Sequence, residues 1–189
     1  MKKNTKHFGT KRLAMLAVLS ALSLCMFVVE NLFPPLILPG AKLGLGNVFS
    51  LLALAVSGTI DGLVVVVVRC TLGSLVVGNL TTLLYSLAGG LVSFAVSALL
   101  YKFVYPRVSI VAISVCGAVV HNLVQNLVFC LVSDTPQMFG YMPYLALLGV
   151  LSGVTVGVAV WLALRTLPQR LLLQMSDVDK QQKVSSAEE

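Results

Sequence analysis

Few residues in this chain can do chemistry, and most of them are polar groups set inside long apolar runs. His121, Asn122, Gln125 and Asn126 interrupt the run 108–132, with His121 and Gln125, and Asn122 and Asn126, spaced i,i+4 on one broad helix face. Arg69 is the only charge deep within an apolar run, while Asp61 stands near the start of the same run. Glu30 and Asn31 close the first run, Lys42 and Asn47 precede and open the second, and Asn79 follows the third. A polar group in hydrocarbon costs on the order of 1–3 kcal/mol unless it is partnered. A charge there is therefore a functional candidate by default. Cations and amides with few acids suit charge-assisted hydrogen bonds to an anionic or zwitterionic small molecule. The candidate substrate-binding residues are thus Lys42, Asn47, Arg69, Asn79, His121, Asn122 and Gln125. Each also has a structural alternative. Arg69 has Glu30 or Asp61 as a possible ion-pair partner, the 121–126 cluster has interhelical hydrogen bonding, and Lys42 has exposure to water at the membrane edge.

What must position these groups begins with Pro39-Gly40-Ala41-Lys42-Leu43-Gly44-Leu45-Gly46-Asn47. Its glycines let the backbone turn and approach a neighbour closely. Pro34, Pro35 and Pro39 forbid a continuous helix through the region. Non-helical backbone survives at membrane depth only where protein buries it or it lines a cavity. Residues 33–47 are therefore expected to form a loop that caps or dips into the membrane and closes a pocket.

Composition sets the class. Of 189 residues, 58% are hydrophobic and 11% charged, and the mean hydropathy is +0.96. A water-soluble domain cannot hide that much apolar surface, so the chain reads as a polytopic, all-α membrane protein embedded in the lipid bilayer. Its net charge of +6 lies in tails and short connections rather than in a patch interleaved with aromatics. Nucleic-acid binding is not expected. The four cysteines sit singly in apolar runs with no Cys-x-x-Cys, and they read as buried free thiols. With only His7 and His121 as histidines, no metal site and no cofactor is expected.

Six spans are expected, over 13–29, 47–57, 60–77, 80–104, 108–132 and 144–164, the second short for a full crossing. The basic segment 1–12 is a tail, 13–165 the membrane domain and 166–189 a polar tail. The first span lacks a small-x-small cleavage site before a polar start, so a retained helix is expected rather than a signal peptide. Lys102, Arg107, Arg165 and Arg170 fall on the side of the basic N-terminus, whereas the connection 133–143 has no Lys or Arg. The positive-inside rule then puts both ends in the cytoplasm and the candidate residues in the outer half. Gly46-Asn47 and Gly78-Asn79 open similar apolar stretches, an echo that either reflects two related helix-opening elements or is chance. Gly149, Gly153 and Gly157 form a stripe for close helix approach within the chain, and Ala17-x-x-x-Ala21 forms another that suits either an internal contact or a partner.

Thr10-Lys11-Arg12-Leu13 leading into Ala17-x-x-x-Ala21, followed by the glycine-rich loop, resembles the substrate-binding S components of energy-coupling factor transporters. Gly40-Ala-Lys-Leu-Gly-Leu-Gly-Asn47, Arg69-x-x-x-Gly73-x-x-x-x-Gly78-Asn79 and Gly117-Ala-x-x-His121-Asn122 resemble the Gx transporter family, whose members are often labelled heptaprenyl diphosphate synthase component I. The resemblance covers about 10–165. It implies a bacterial six-transmembrane-helix bundle in the plasma membrane that captures a small vitamin-like or isoprenoid- or quinone-related molecule in its outer half. It also implies that Ala17 and Ala21 face a transmembrane coupling subunit joined to two ATP-binding-cassette ATPases. The chain has no Gly-x-x-x-x-Gly-Lys-[Ser/Thr] loop of its own, so ATP hydrolysis would come from those partners. Prenyl diphosphate synthesis needs clustered aspartates to hold magnesium against diphosphate. This chain has four Asp, at 61, 134, 177 and 179, and no Asp-Asp-x-x-Asp, so it is not expected to be an enzyme. The alternative is a non-catalytic accessory subunit of heptaprenyl diphosphate or quinone synthesis, or of a flavin-linked redox assembly.

Overall fold

A computed structural model of the chain describes residues 10–32, 44–78 and 80–167. Among these residues there are six α-helices and no strand: α1 (Thr10–Leu32), α2 (Asn47–Ser57), α3 (Thr59–Val77), α4 (Leu80–Phe103), α5 (Ile110–Ser133) and α6 (Met142–Thr166). A 3₁₀ turn, Pro136–Tyr141, precedes α6. Five helices are long and apolar enough to cross a membrane, because 19 to 25 residues rise by about 28–37 Å against a hydrocarbon core of about 30 Å. The second expected span, α2, has 11 residues and reaches only ~16 Å. It is a half-length helix.

Large apolar side chains cover the outside, with Leu75, Leu131 and Leu147 each 71% exposed. In water that surface would drive aggregation, whereas lipid tails match it. Cys25 and Cys116 lie on this surface, against the expectation that all four thiols are buried, while Cys70 and Cys130 are inside. Trp161 and Arg165 stack at the end of α6, with the guanidinium carbon 3.9 Å from the ring centroid, an arrangement suited to a membrane–water interface.

Three contacts set the direction of the first helices. Arg12 at the start of α1 pairs with Asp61 at the start of α3, Ser23 Oγ donates to the Gly46 carbonyl at 2.8 Å, and Phe27 lies against Gly73. Helices α1 and α3 therefore run parallel, with α2 antiparallel between them. Gly58 joins α2 to α3 as a single residue at φ 95, a conformation that side-chain-bearing residues rarely adopt. Helix α1 begins at Thr10, so Arg12, 8% exposed, belongs to the bundle and not to a basic tail.

Helices α4, α5 and α6 continue the up-and-down course. Tyr101 near the end of α4 donates to the Ala55 carbonyl near the end of α2. Ser109 caps α5 by accepting from the Ala112 N–H at 3.2 Å. On α6, a Cβ at Gly149, Gly153 or Gly157 would meet the Cα of Val119, Val115 or Val111 on α5 at 2.8, 2.5 and 2.7 Å. The glycine stripe is thus a seam within the chain. The main core lies where Leu51, Leu54, Val66, Phe94, Ile113 and Val160 meet.

Candidate functional site

Helix α2 starts inside the bundle, and glycines make that start. Gly44 adopts φ 69 and its carbonyl accepts from the Asn47 N–H at 2.8 Å. Gly46 lies so close to α3 that a Cβ on it would sit 2.9 Å from Nη1 and 3.0 Å from Cδ of Arg69. Arg69 itself stands ~12 Å along α3 from Asp61, midway through the span. The N-terminus of α2, whose first N–H groups carry partial positive charge, thus opens at mid-depth beside a buried cation.

Arg69 is 3% exposed. Its Nη1 donates to Asn47 Oδ1 at 2.8 Å and its Nη2 reaches Cys70 Sγ at 3.9 Å. The Nε is buried with no hydrogen-bond partner among the described residues. The second acid offered by sequence reasoning, Asp61, is engaged by Arg12 at the far end of α1 and α3. Arg69 lines a cavity of about 20 Å³ with Glu30 from α1, Asn47 from α2, Ser86 from α4, and His121 and Gln125 from α5. Four of the expected residues therefore share one buried polar space, toward the Glu30 end of the bundle.

The other expected residues separate. His121 and Gln125 face the cavity, but Asn122 donates to the Leu145 carbonyl of α6 at 3.1 Å. Asn126 donates to the Met138 carbonyl of the 3₁₀ turn at 3.1 Å. The 121–126 cluster is thus two adjacent faces, one lining the cavity and one, with Asn122, tying α5 to α6. Lys42 and Asn79 lie outside the described residues, as does most of the expected loop. Ala17 and Ala21 are exposed and line an apolar groove of about 440 Å³ on the outer surface between α1 and α3, with Val64, Val68 and Leu72 opposite.

Sequence reasoning missed the serines. Ser86, Ser93 and Ser97 follow one face of α4, and Ser93 Oγ lies 3.4 Å from His121 Nδ1. Their helical spacing was the available signal, hidden because single serines are common in membrane helices. Since Gly46 makes room for Arg69, Gly46→Ala is expected to displace the guanidinium from Asn47. It should then reproduce whatever Arg69→Leu does to small-molecule retention, with some loss of thermal stability because the same Cβ meets the Ser23 backbone oxygen at 3.1 Å; unchanged retention would show that Arg69 keeps its place.

A family model described as heptaprenyl diphosphate synthase component I matches residues 19–162. No curated protein matches the chain.

Proposed function

The chain belongs to the heptaprenyl diphosphate synthase component I family, and from that premise we propose that it is the substrate-binding membrane subunit of an ATP-driven importer of the energy-coupling factor kind. The observation that carries this reading is the convergence of Asn47, Arg69, His121 and Gln125, from three helices, on a buried polar cavity at the open N-terminus of a half-length helix. Broken or half-length helices whose N-termini point at anionic groups are a device of membrane transporters. At about 20 Å³ the cavity is closed down, well below the roughly 300–1,000 Å³ of a typical ligand pocket, so capture requires its walls to part.

Orientation follows from charge. Arg12, Lys102, Arg107 and Arg165 lie at one end of the bundle, and the 133–143 connection at the other end has no Lys or Arg. By the positive-inside rule the Arg12 end faces the cytoplasm of a bacterial cell and the cavity opens outward. The chain itself performs no chemistry in this reading. Energy comes from ATP-binding-cassette ATPases through a coupling subunit docked on the Ala17–Ala21 groove. Co-purification with such partners should be lost in Ala17→Leu or Ala21→Leu, because a leucine there fills the groove that a partner helix would enter. An intact complex in both variants would refute the docking face. Arg69→Leu and His121→Ala are expected to lower the small molecule retained on gently purified protein, read by mass spectrometry, at least tenfold, as expected for an interaction of about 1.4 kcal/mol or more. Loss of the folded peak in size-exclusion chromatography instead would give both residues structural roles.

The family's name favours one other reading, a membrane accessory subunit in heptaprenyl diphosphate synthesis. Its four aspartates are dispersed, so the catalytic magnesium site would belong to another subunit. Deleting the gene would then change prenyl-chain or quinone content with uptake unaffected.

A further inference from the structure

Adjoining the Arg69 cavity is a second one of about 40 Å³, lined by residues of α2, α3, α4, α5 and α6. Four hydroxyls line it, those of Ser50, Ser93, Ser97 and Ser114, with Phe94 and Val156 among its apolar walls. The two spaces are linked. Asn47 lines both, and the contact between Ser93 and His121 joins a residue of one to a residue of the other. Gly90 stands between them, where a Cβ would be 3.2 Å from Cys70 Sγ and 3.8 Å from Arg69 Nη2.

Serines buried in helices commonly return their hydroxyl proton to a carbonyl one turn back, as Ser74 does to Cys70 and Ser152 to Gly149. Ser50 does not: it is 3% exposed and its Oγ has no partner among the described residues. Arg69 Nε is in the same position in the neighbouring cavity. Ser86, which also lines the Arg69 cavity, has its Oγ in the same position, and three unsatisfied polar atoms on residues lining connected spaces are costly in an otherwise apolar bundle unless something enters to meet them.

We propose that the two cavities are subsites for one ligand, a compact acid. Its anionic group sits against Arg69 Nε and the α2 N-terminus, and its hydrogen-bonding body lies among Ser50, Ser97 and Ser114. The subsites are close enough to share a molecule of single-ring size, since Asn47 and Ser50 are separated by only ~4.5 Å of helical rise. A long isoprenoid chain would gain nothing from the hydroxyls, which desolvate at a cost when hydrocarbon covers them. This inference rests on the reading of the Arg69 cavity as a ligand site and narrows the ligand to a small polar acid.

The test needs no coupling subunit or ATPase, so it fails separately from the transport reading. In a chain whose four cysteines are replaced by alanine, Ser97→Cys serves as a reporter in membrane vesicles. It is treated with anionic sulfonatoethyl methanethiosulfonate or its cationic trimethylammonioethyl counterpart. Each reagent passes its alkylthio group to the thiolate, forming a disulfide and releasing methanesulfinate. Rates are normalised to those with a free thiol in solution. The anionic reagent is expected to label roughly tenfold faster than the cationic one, with the preference abolished by Arg69→Gln. 4-Hydroxybenzoate at millimolar concentration should slow labelling severalfold, and benzoate, the same acid without a group for the serines, should slow it less. Gly117→Ala, which places a methyl group against the Ser97 hydroxyl, should slow labelling in the same assay. The proposal is overturned if folded Ser97→Cys protein resists both reagents, if the charge preference is absent or survives Arg69→Gln, or if 4-hydroxybenzoate gives no more protection than benzoate. Protection by farnesyl diphosphate in place of 4-hydroxybenzoate would overturn it and assign the site to an isoprenoid.

Discussion

Asp61→Leu is expected to cost about 3–5 kcal/mol of folding stability, the range for breaking a buried ion pair from one side. Asp61 is 1% exposed and Arg12 8%, and Arg12 Nε donates to both carboxylate oxygens, at 3.0 and 2.9 Å, while its Nη2 pairs with Oδ1. With the carboxylate removed, the guanidinium keeps its burial and loses the Asp61 counter-charge. The pair also fixes the register of α1 against α3, which sets where Phe27 meets Gly73. Arg12→Met combined with Asp61→Leu should recover most of the loss, because an apolar pair of similar volume often matches a buried ion pair in stability. Unfolding titrated with SDS in mixed micelles measures both. A double variant that loses the sum of what Asp61→Leu and Arg12→Met lose alone would show that the pair contributes nothing beyond its separate side chains.

The second large effect is expected at the α5–α6 seam. Gly153→Ala puts a methyl carbon 2.5 Å from the Cα of Val115 and 3.0 Å from its backbone nitrogen. Backbone cannot rotate aside as a side chain can, so the helices must separate. Overpacking of this kind costs about 1–3 kcal/mol, and here the displacement runs along the stripe shared with Gly149 and Gly157. It also pulls on the Asn122 bond to Leu145, and so on the face of α5 that carries His121. Gly140→Ala is the control, since a Cβ there meets nothing within 4 Å. Equal stability of the two variants in detergent would mean that the seam is looser than its geometry.

Much of the architecture was legible before any coordinates. Long uncharged runs forced apolar helices, because backbone polar groups in hydrocarbon must be satisfied within the segment. The glycine repeat on α6 announced a close helix contact, and the separation of Arg69, His121 and Gln125 from the charged tails marked them as polar groups within the membrane domain. The limits are equally physical. Arg12 read as one more cation of a basic tail, since nothing local reveals that a carboxylate 49 residues away will bury it. Asn122 and Gln125 have similar composition and depth signals, and only the position of α6 assigns the first to a helix contact and the second to the cavity.

Chain chemistry by itself therefore determined the solvent for this protein, the helical state of its segments and the inventory of groups too costly to bury without purpose. Those follow from hydrophobicity and backbone hydrogen bonding, which act within a segment. Which polar group meets which, how deep α2 begins, and whether a serine faces a helix or a cavity were decided by the packing of the bundle. Such pairings depend on helix rotation and register between segments distant in sequence, and no local pattern carries that information.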